Sequence, residues 1–411
     1  MPGISMRSFA AVLLAILVAF VVLPVVGLPY AADDLANRAW ALTGIRDQWL
    51  TIVDLNGQWM TTQGRFFPGG SVYGFVVWNV FDSRVAYVVF LALLGMACMT
   101  LLALAVWRAT RSATVAVLSL LAIGACWQFR FVYLDGLTSF GGLVLFTLGL
   151  TVGAGLLAAC ILHGRSRWLV LPLTIIWTLA ITAYEVSLLM LPAIAVLLLA
   201  TGPALRQRTA WLWAGLPLLI PAAAQVVITA TLRAGASGPA SAYDINLAGP
   251  VGTTFLKQFV AALPFSQQVL GGAPLNATVA VMLAAVLAIP FALAWRPWIM
   301  PPAPTADRVG IALIVAGAWA WIVPAVLAAV TKRWQDELVW GQGYIYVGYQ
   351  FAGVALILAG LASLVHARAD RRWARFALCT IFVALAVACA VTAASNLTVL
   401  SALVPGPQGP A

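Results

Sequence analysis

Apolar runs of about twenty residues recur along almost the whole chain of 411 residues. A helix needs about twenty apolar residues to cross a hydrocarbon core of about 30 Å. Because only 8% of the residues are charged, against about 25% in a soluble domain, the sequence predicts an all-α, polytopic transmembrane helical bundle of about eleven spans. The predicted spans are roughly 8–30, 85–107, 112–128, 138–162, 168–184, 186–205, 210–232, 276–295, 309–330, 347–365 and 376–399.

The charged residues separate between the two sides of this bundle. With the N-terminus inside, the inner segments hold 13 of the 22 Lys and Arg residues, and the outer segments hold ten of the twelve acids. An excess of Lys and Arg in short cytoplasmic loops sets orientation. The pattern predicts a cytoplasmic N-terminus in a bacterial plasma membrane and places loops 31–84, 233–275 and 331–346 on the periplasmic or extracellular face. A miscount would fall first on the short spans that meet at Glu185.

The separation of charges between the two sides of the membrane also explains the net charge of +10, so a nucleic-acid partner is not expected. No internal repeat and no separate soluble domain interrupts the chain, which predicts a single integral membrane domain over 1–411. The five cysteines all lie in apolar stretches, so neither a disulfide framework nor a zinc site is expected.

An amphipathic pattern opens the first outer loop. Leu35, Ala39, Leu42 and Ile45 recur at helical spacing, and the pattern continues to Trp49. It follows directly after a predicted span, and Trp is typical of membrane interfaces. We expect one amphipathic juxtamembrane helix that lies flat on the outer membrane surface.

Two adjacent carboxylates, Asp33 and Asp34, lie at the start of this loop. Carboxylates at the bilayer boundary are costly unless they are paired or hydrated. They can cap the helix that follows, since Asp is favoured at an N-cap and in a first turn. In a chemical role they would divide the work, because adjacent helical residues diverge by about 100°. One would then act as a base, and the other would orient it or hold a cation.

Three outer basic residues, Arg65, Lys332 and Arg333, run against the positive-inside bias. Arg65 lies in the segment QGRFFPGG, residues 63–70, where it would bind a phosphate or a sugar, or neutralise Asp33 or Asp34 as a scaffold ion pair. Lys332 and Arg333 lie at the outer end of the ninth predicted span, where they would extend to lipid head groups as interface anchors.

Glu185 lies between two short spans, where an unpartnered charge would cost about 3 kcal/mol within the bilayer. It therefore predicts a hydrated cavity or an ion pair, for which Arg130 is one partner. Other side chains suited to bind a substrate are a tryptophan and a glutamine near Arg65 and three aromatic residues of the third loop. They are Trp59, Gln63, Trp334, Tyr344 and Tyr346. The aromatic rings would stack on a sugar, although Trp and Tyr gather at every membrane interface.

The order of these features resembles the GT-C superfamily of membrane glycosyltransferases, which use polyprenyl-phosphate sugars. The similar features are one span, an outer Asp33-Asp34 pair, an amphipathic helix, and then Trp59 and Gly64-Arg65-Phe66 leading to the second span. The nearest likeness is to bacterial members of the O-antigen glucosyltransferase type. It extends to residues 183–185 and 262–265, and as motif it covers only a few dozen residues.

The resemblance implies an inverting glycosyltransferase of the cell envelope that moves a sugar from a polyprenyl-phosphate donor to a glycan or lipid acceptor on the outer face. In that chemistry Asp33 or Asp34 would accept the proton of the acceptor hydroxyl. Cations such as Arg65, Lys332 and Arg333 would stabilise the departing lipid phosphate. The need for a divalent cation is left open. The rival expectation is a transporter or flippase of a lipid-linked or amphiphilic substrate.

Overall fold

The computed structural model describes residues 22–27, 33–129, 137–164, 166–203, 208–236, 244–273, 275–276, 280, 306–368 and 371–403. In this part of the chain the regular structure is helical, with one isolated β-bridge between Ile245 and Thr331. In chain order the helices are α1 (Asp33–Ala41), α2 (Ile45–Gln63), α3 (Pro68–Val80), α4 (Arg84–Thr110), α5 (Ala113–Cys126), α6 (Ser139–Leu162), α7 (Val170–Ala183), α8 (Val186–Leu189), α9 (Leu191–Thr201), α10 (Arg208–Gly235), α11 (Val251–Ala261), α12 (Ser266–Val269), α13 (Ala306–Val330), α14 (Lys332–Glu337), α15 (Val347–Arg368) and α16 (Arg371–Leu403).

Six of the described helices, α4, α6, α10, α13, α15 and α16, are long and apolar enough to cross a membrane. The segments 167–183 and 186–201 together add a seventh span if they are counted as one. The chain is therefore a multi-pass membrane protein, and its described part is helical. The predicted count of about eleven spans is not confirmed, and the predicted spans 8–30 and 276–295 lie almost entirely outside the described residues.

Two parts of the span prediction differ from the structure. The predicted span 112–128 is the helix α5 of only 14 residues, and 11 of these are buried in the bundle. The predicted spans 168–184 and 186–205 form a pair that bends by 118° at Tyr184 and Glu185. Hydropathy alone did not distinguish these short helices from complete spans, because buried helices and lipid-facing helices are equally apolar.

Glycines bring α13 and α15 into close contact at the centre of the bundle. A Cβ atom added at Gly317 would lie 2.6 Å from the carbonyl oxygen of Gly353, and one added at Gly360 would lie 2.5 Å from that of Gly310. Small residues at helix interfaces let backbones approach closely, and packing of this kind stabilises helix pairs in membranes.

The first loop forms three helices, α1 to α3, and the predicted single amphipathic helix is shorter than expected. It ends at Ala41 as α1, and a second helix, α2, begins at Ile45. The break is stabilised by Gln48, whose side-chain amide donates to the carbonyls of Ala41 and Thr43. These carbonyls would otherwise lack partners at a helix end.

The helix α2 has three faces of different character. Gln48 and Ile52 are buried against the protein, whereas Trp49 and Val53 are exposed and apolar. The exposed polar side chains of the third face are Asp47, Thr51, Asp54 and Gln58. A helix with these three faces suits a membrane interface, where it meets protein, lipid and water at once.

The second and third loops pack together through glutamine side chains. Gln258 accepts from the backbone N–H of Tyr344 at 2.6 Å, and Gln335 donates to the carbonyl of Asn246 at 2.6 Å. Gln128 donates to the carbonyl of Leu263 at 2.8 Å. These contacts join the second and third loops, and Gly64 of the first loop packs against the backbone of Arg233 at the start of the second loop. We call the end of the bundle where the three loops meet the loop end. The opposite end carries Arg108, Arg111, His163 and Arg308, and we call it the basic end.

Candidate functional site

An ion pair between Arg65 and Glu185 joins the first loop to the bend between α7 and α8. The Nε and Nη2 atoms of Arg65 each donate to one carboxylate oxygen of Glu185 at 3.2 Å. The two side chains are 17% and 30% exposed. Burial of the guanidinium opposes its charged form, but the Glu185 carboxylate outweighs this effect, and the pKa of Arg65 is raised.

Aromatic rings flank the same guanidinium. Its central carbon lies 4.6 Å from the ring centroid of Trp59 and 5.0 Å from that of Phe67, and these two rings meet edge to face at 4.5 Å. Cation–π contacts of this kind stabilise a charge that is partly removed from water. Arg65 is therefore held in one position by a carboxylate and two rings.

Glycines around Arg65 allow the backbone to approach its neighbours. Gly64 ends α2 with φ of 60°, and a Cβ there would lie 2.6 Å from the Cα of Arg233. A Cβ at Gly70 would lie 2.7 Å from the carbonyl oxygen of Ala183. The helix α3 begins between these glycines with Pro68 in its first turn, where its fixed φ is favourable. The segment 64–70 is thereby docked beside Glu185.

Four rings connect the Arg65 region to the third loop, and we call them the aromatic ladder. Tyr184 lies next to Glu185, and its ring is 5.9 Å from that of Tyr346. Tyr346 meets Tyr344 edge to face at 4.7 Å, and Tyr344 stacks on Trp334 at 3.5 Å. Trp334 is only 2% exposed, so it is a buried ring rather than an anchor at the lipid surface.

Arg333 ends the ladder, with its guanidinium 5.0 Å from the ring of Trp334. It pairs with Glu337 one turn later, at 3.0 Å, and both partners are about one third exposed. Lys332 is exposed, and its backbone N–H donates to the carbonyl of Asp244. The structure thus brings Arg65, Glu185, Trp59, and the predicted residues of the third loop into one continuous cluster, with Lys332 at its surface.

Asp34 lies at a different point of the loop end. It is 7% exposed and accepts a hydrogen bond from the hydroxyl of Tyr87 at 3.2 Å. Burial and the Asp34 carboxylate raise the pKa of Tyr73. The side chain of Asp33 lies outside the part of the molecule that the structure describes. Asp34 is therefore a buried carboxylate that faces two tyrosines.

The helix α3 connects the Asp34 region to the Arg65 region. Gly70 packs on Ala183 beside Glu185, while Trp78 stacks on Tyr87 at 4.7 Å. Eight residues of helix span about 12 Å, so the two regions are separated by a distance of about that order.

The predicted partners of the two charges differ from the contact that the structure shows, and the predicted site roles stay predictions. Arg65 pairs with Glu185, a partner that the sequence analysis did not consider for it, and the side chain of Asp33 lies outside the described residues. Glu185 accordingly has Arg65 as its partner, and Arg130 lies outside the described residues. The side-chain oxygen of Gln63 is buried and has no hydrogen-bond partner in the described part of the chain.

Sequence reasoning missed the contributions of Phe67, Tyr184 and Tyr87 to these contacts. Tyr184 adjoins the conspicuous Glu185, and Phe67 adjoins the glycines of segment 63–70, so both lay within motifs already singled out. Tyr87 gave no signal, because a tyrosine near a helix start is common at membrane interfaces.

Within the described ranges, no three His, Cys, Asp or Glu side chains lie close enough together to hold a metal ion. Comparison with known proteins found no match to the chain among protein-family models, curated proteins or solved structures.

Proposed function

We propose that this chain is an inverting membrane glycosyltransferase that uses a polyprenyl-phosphate sugar and an acceptor glycan or lipid. The loop end would face the outside of a bacterial plasma membrane, with the N-terminus in the cytoplasm. The proposal rests on the resemblance to the GT-C superfamily and on the chemistry of the residues gathered at the loop end.

The observation that supports the proposal most is the assembly of a charged and aromatic cluster from three distant parts of the chain. Trp59 and Arg65 come from the first loop, Glu185 from the bend, and Tyr344 and Tyr346 from the third loop. Flat rings stack on sugar faces, and a guanidinium can hold two phosphate oxygens at once. A lipid-linked sugar needs both kinds of contact.

In the proposed reaction the acceptor hydroxyl oxygen bonds to the anomeric carbon as the bond from that carbon to the phosphate oxygen breaks. Asp34 takes the proton of the hydroxyl, because a carboxylate within hydrogen-bond reach can act as a general base. The electron pair of the broken bond leaves with the lipid phosphate. Arg65 and Arg333 stabilise the negative charge that develops there. Asp33 would orient Asp34 or hold a cation.

A transporter or flippase of a lipid-linked substrate is the second candidate function. It is favoured by the 118° bend at Glu185, because transporters often place ligand sites where a spanning helix is interrupted. The two functions differ in their products: a transferase releases a lipid phosphate and a glycosylated acceptor, whereas a transporter moves the intact lipid-linked sugar.

The test is reconstitution of the purified protein in vesicles with a panel of radiolabelled polyprenyl-phosphate sugars and an extract of cell-envelope glycans. We expect label to pass from at least one donor to an acceptor, and to be lost in Arg65→Ala but not in the matched control Arg368→Ala at the basic end. Movement of intact donor across the vesicle without transfer would support the transporter. Neither transfer nor movement with any donor would contradict both candidates.

A further inference from the structure

A cavity of about 310 Å³ lies inside the bundle and reaches the basic end, opposite the Arg65 site. Helices α4, α6, α9, α13 and α15 enclose it with mainly apolar side chains. Among these are Leu102, Leu148, Ile194, Leu313 and Leu356. Its volume is at the lower end of the range of about 300–1,000 Å³ that small-molecule sites occupy.

The basic-end mouth of this cavity is lined by Arg108, Arg111, His163 and Arg308. None of the described side chains that line the cavity is acidic. Asp307 is the neighbour of Arg308 in the chain, but it pairs with Arg368 at 2.9 Å. The mouth therefore combines positive charge with an apolar interior, an arrangement that complements an amphiphile with an anionic head group.

The arginines at the mouth retain donors for such a group. The Nη2 atom of Arg108 donates to the carbonyl of Ala159 at 3.5 Å, a long contact, and its buried Nε atom has no partner among the described residues. Arg308 donates to the carbonyl of Leu199. A guanidinium has five N–H donors, so each of these side chains can also bind a phosphate.

The cavity is deep for its volume. Its lining extends along the α9 side from Gly202 to Met190, a distance of about 18 Å at the rise of a helix. At the far end lies Tyr349, which is fully buried and whose hydroxyl bonds to Ser187 at 2.7 Å and to Thr147 at 2.9 Å. A small volume drawn out over this length suits one hydrocarbon chain better than two.

We propose that this cavity binds a single-chain lipid monophosphate. The phosphate would lie among Arg108, Arg111 and Arg308, and the chain would follow the apolar wall toward Tyr349. The proposal does not depend on glycosyl transfer, because the site lies at the other end of the bundle and uses none of the loop-end residues.

The test is native mass spectrometry of the full chain in detergent, in the Arg65→Ala background so that a lipid phosphate held at the loop end does not contribute. The probes are geranylgeranyl monophosphate, geranylgeraniol, inorganic phosphate and phosphatidylglycerol. We expect the monophosphate to bind at least tenfold more tightly than the alcohol or inorganic phosphate, since it alone combines charge and chain. Phosphatidylglycerol should not displace it, and displacement at equal concentration would overturn the choice of a single-chain lipid.

Two matched pairs of variants locate the binding. Gly155 lines the cavity and Gly153 does not, and an added Cβ at Gly153 would meet nothing within 4 Å. Gly155→Leu should therefore reduce monophosphate binding at least tenfold, whereas Gly153→Leu should not. The double variant Arg108→Gln with Arg308→Gln should weaken the monophosphate and leave the alcohol unchanged, with Arg368→Gln as control. Equal binding to both lipids, or binding that survives Gly155→Leu and the double arginine variant, would overturn the proposal.

Discussion

Arg65 and Glu185 lie 120 residues apart in the chain and form a two-point ion pair at the loop end of the bundle. The pair connects the turn between α2 and α3 to the bend between α7 and α8. Since both side chains are largely removed from water, each depends on the other for charge compensation. The geometry of the loop end therefore depends on this contact.

Removing both partners of this ion pair should destabilise the protein by less than the sum of the two single removals. We expect Arg65→Ala and Glu185→Gln each to lower the thermal unfolding temperature in detergent, and the double variant to be less destabilised than the sum, with a coupling of about 1–3 kcal/mol. The control is the more exposed pair Arg333 and Glu337, for which we expect a coupling of about 0.3–0.5 kcal/mol. Equal coupling in the two pairs would contradict a structural role for the Arg65 pair.

The close packing of α3 on the bend gives a second prediction. Gly70→Ala should destabilise the protein, because its Cβ would lie 2.7 Å from a backbone oxygen of Ala183. Gly74 is on the same helix, where an added Cβ would meet nothing within 4 Å. Gly74→Ala should therefore be neutral or stabilising by about 0.5–1 kcal/mol. Thermal unfolding of the two variants decides this, and equal effects would contradict the described docking of α3.

The proposed sidedness can be tested by cysteine labelling in intact cells, with the native cysteines replaced. Gly57→Cys and Asp336→Cys at the loop end should react with an impermeant maleimide from outside. Ser166→Cys at the basic end should react only after the membrane is permeabilised. All three positions are at least partly exposed in the structure. Reversed labelling would place the loop end in the cytoplasm and exclude the proposed outer active face.

The planar guanidinium groups at the loop end predict that replacing an arginine with lysine weakens the binding of the sugar donor. Arg65→Lys should raise the KM for the polyprenyl-phosphate sugar about tenfold or more, because lysine can neither bind two carboxylate oxygens in one plane nor stack in the same way on Trp59. Arg333→Lys should show a defect of the same kind, and Arg368→Lys at the basic end serves as control. Wild-type donor kinetics in Arg65→Lys, Arg333→Lys and Lys332→Ala would place the phosphate site elsewhere.

The sequence predicted the helical membrane class, but it did not predict which side chains contact one another at the loop end. Apolar runs located most of the described helices, because lipid contact and core packing select the same side chains. Because buried helices and lipid-facing helices are equally apolar, the sequence did not predict the bend at Glu185 or the short length of α5. The end of α1 and the start of α2 depend on Gln48, whose side chain donates to backbone carbonyls between the two helices. Such hydrogen bonds could not be predicted, because they leave no periodic pattern in the sequence.

Partner choice at the site could not be predicted because several charges of opposite sign were available to each residue. Asp33 and Asp34 were the predicted partners of Arg65, and Arg130 that of Glu185, whereas the packing of α3 on Ala183 brings Arg65 to Glu185. Trp334 was expected either to stack on a substrate or to lie at the interface. It is buried and stacks on Tyr344, an arrangement that the sequence did not indicate.

The most direct test of the central claim is the rate of sugar transfer by Asp34→Asn in reconstituted vesicles. Asparagine keeps the shape of the side chain and can accept from the hydroxyl of Tyr87, but it is not an effective base. We expect transfer to fall by about a hundredfold or more, while the unfolding temperature and the KM for the donor stay close to those of the wild-type protein. Asp33→Asn, measured in parallel, should be impaired less. Transfer by Asp34→Asn at the wild-type rate would contradict the account.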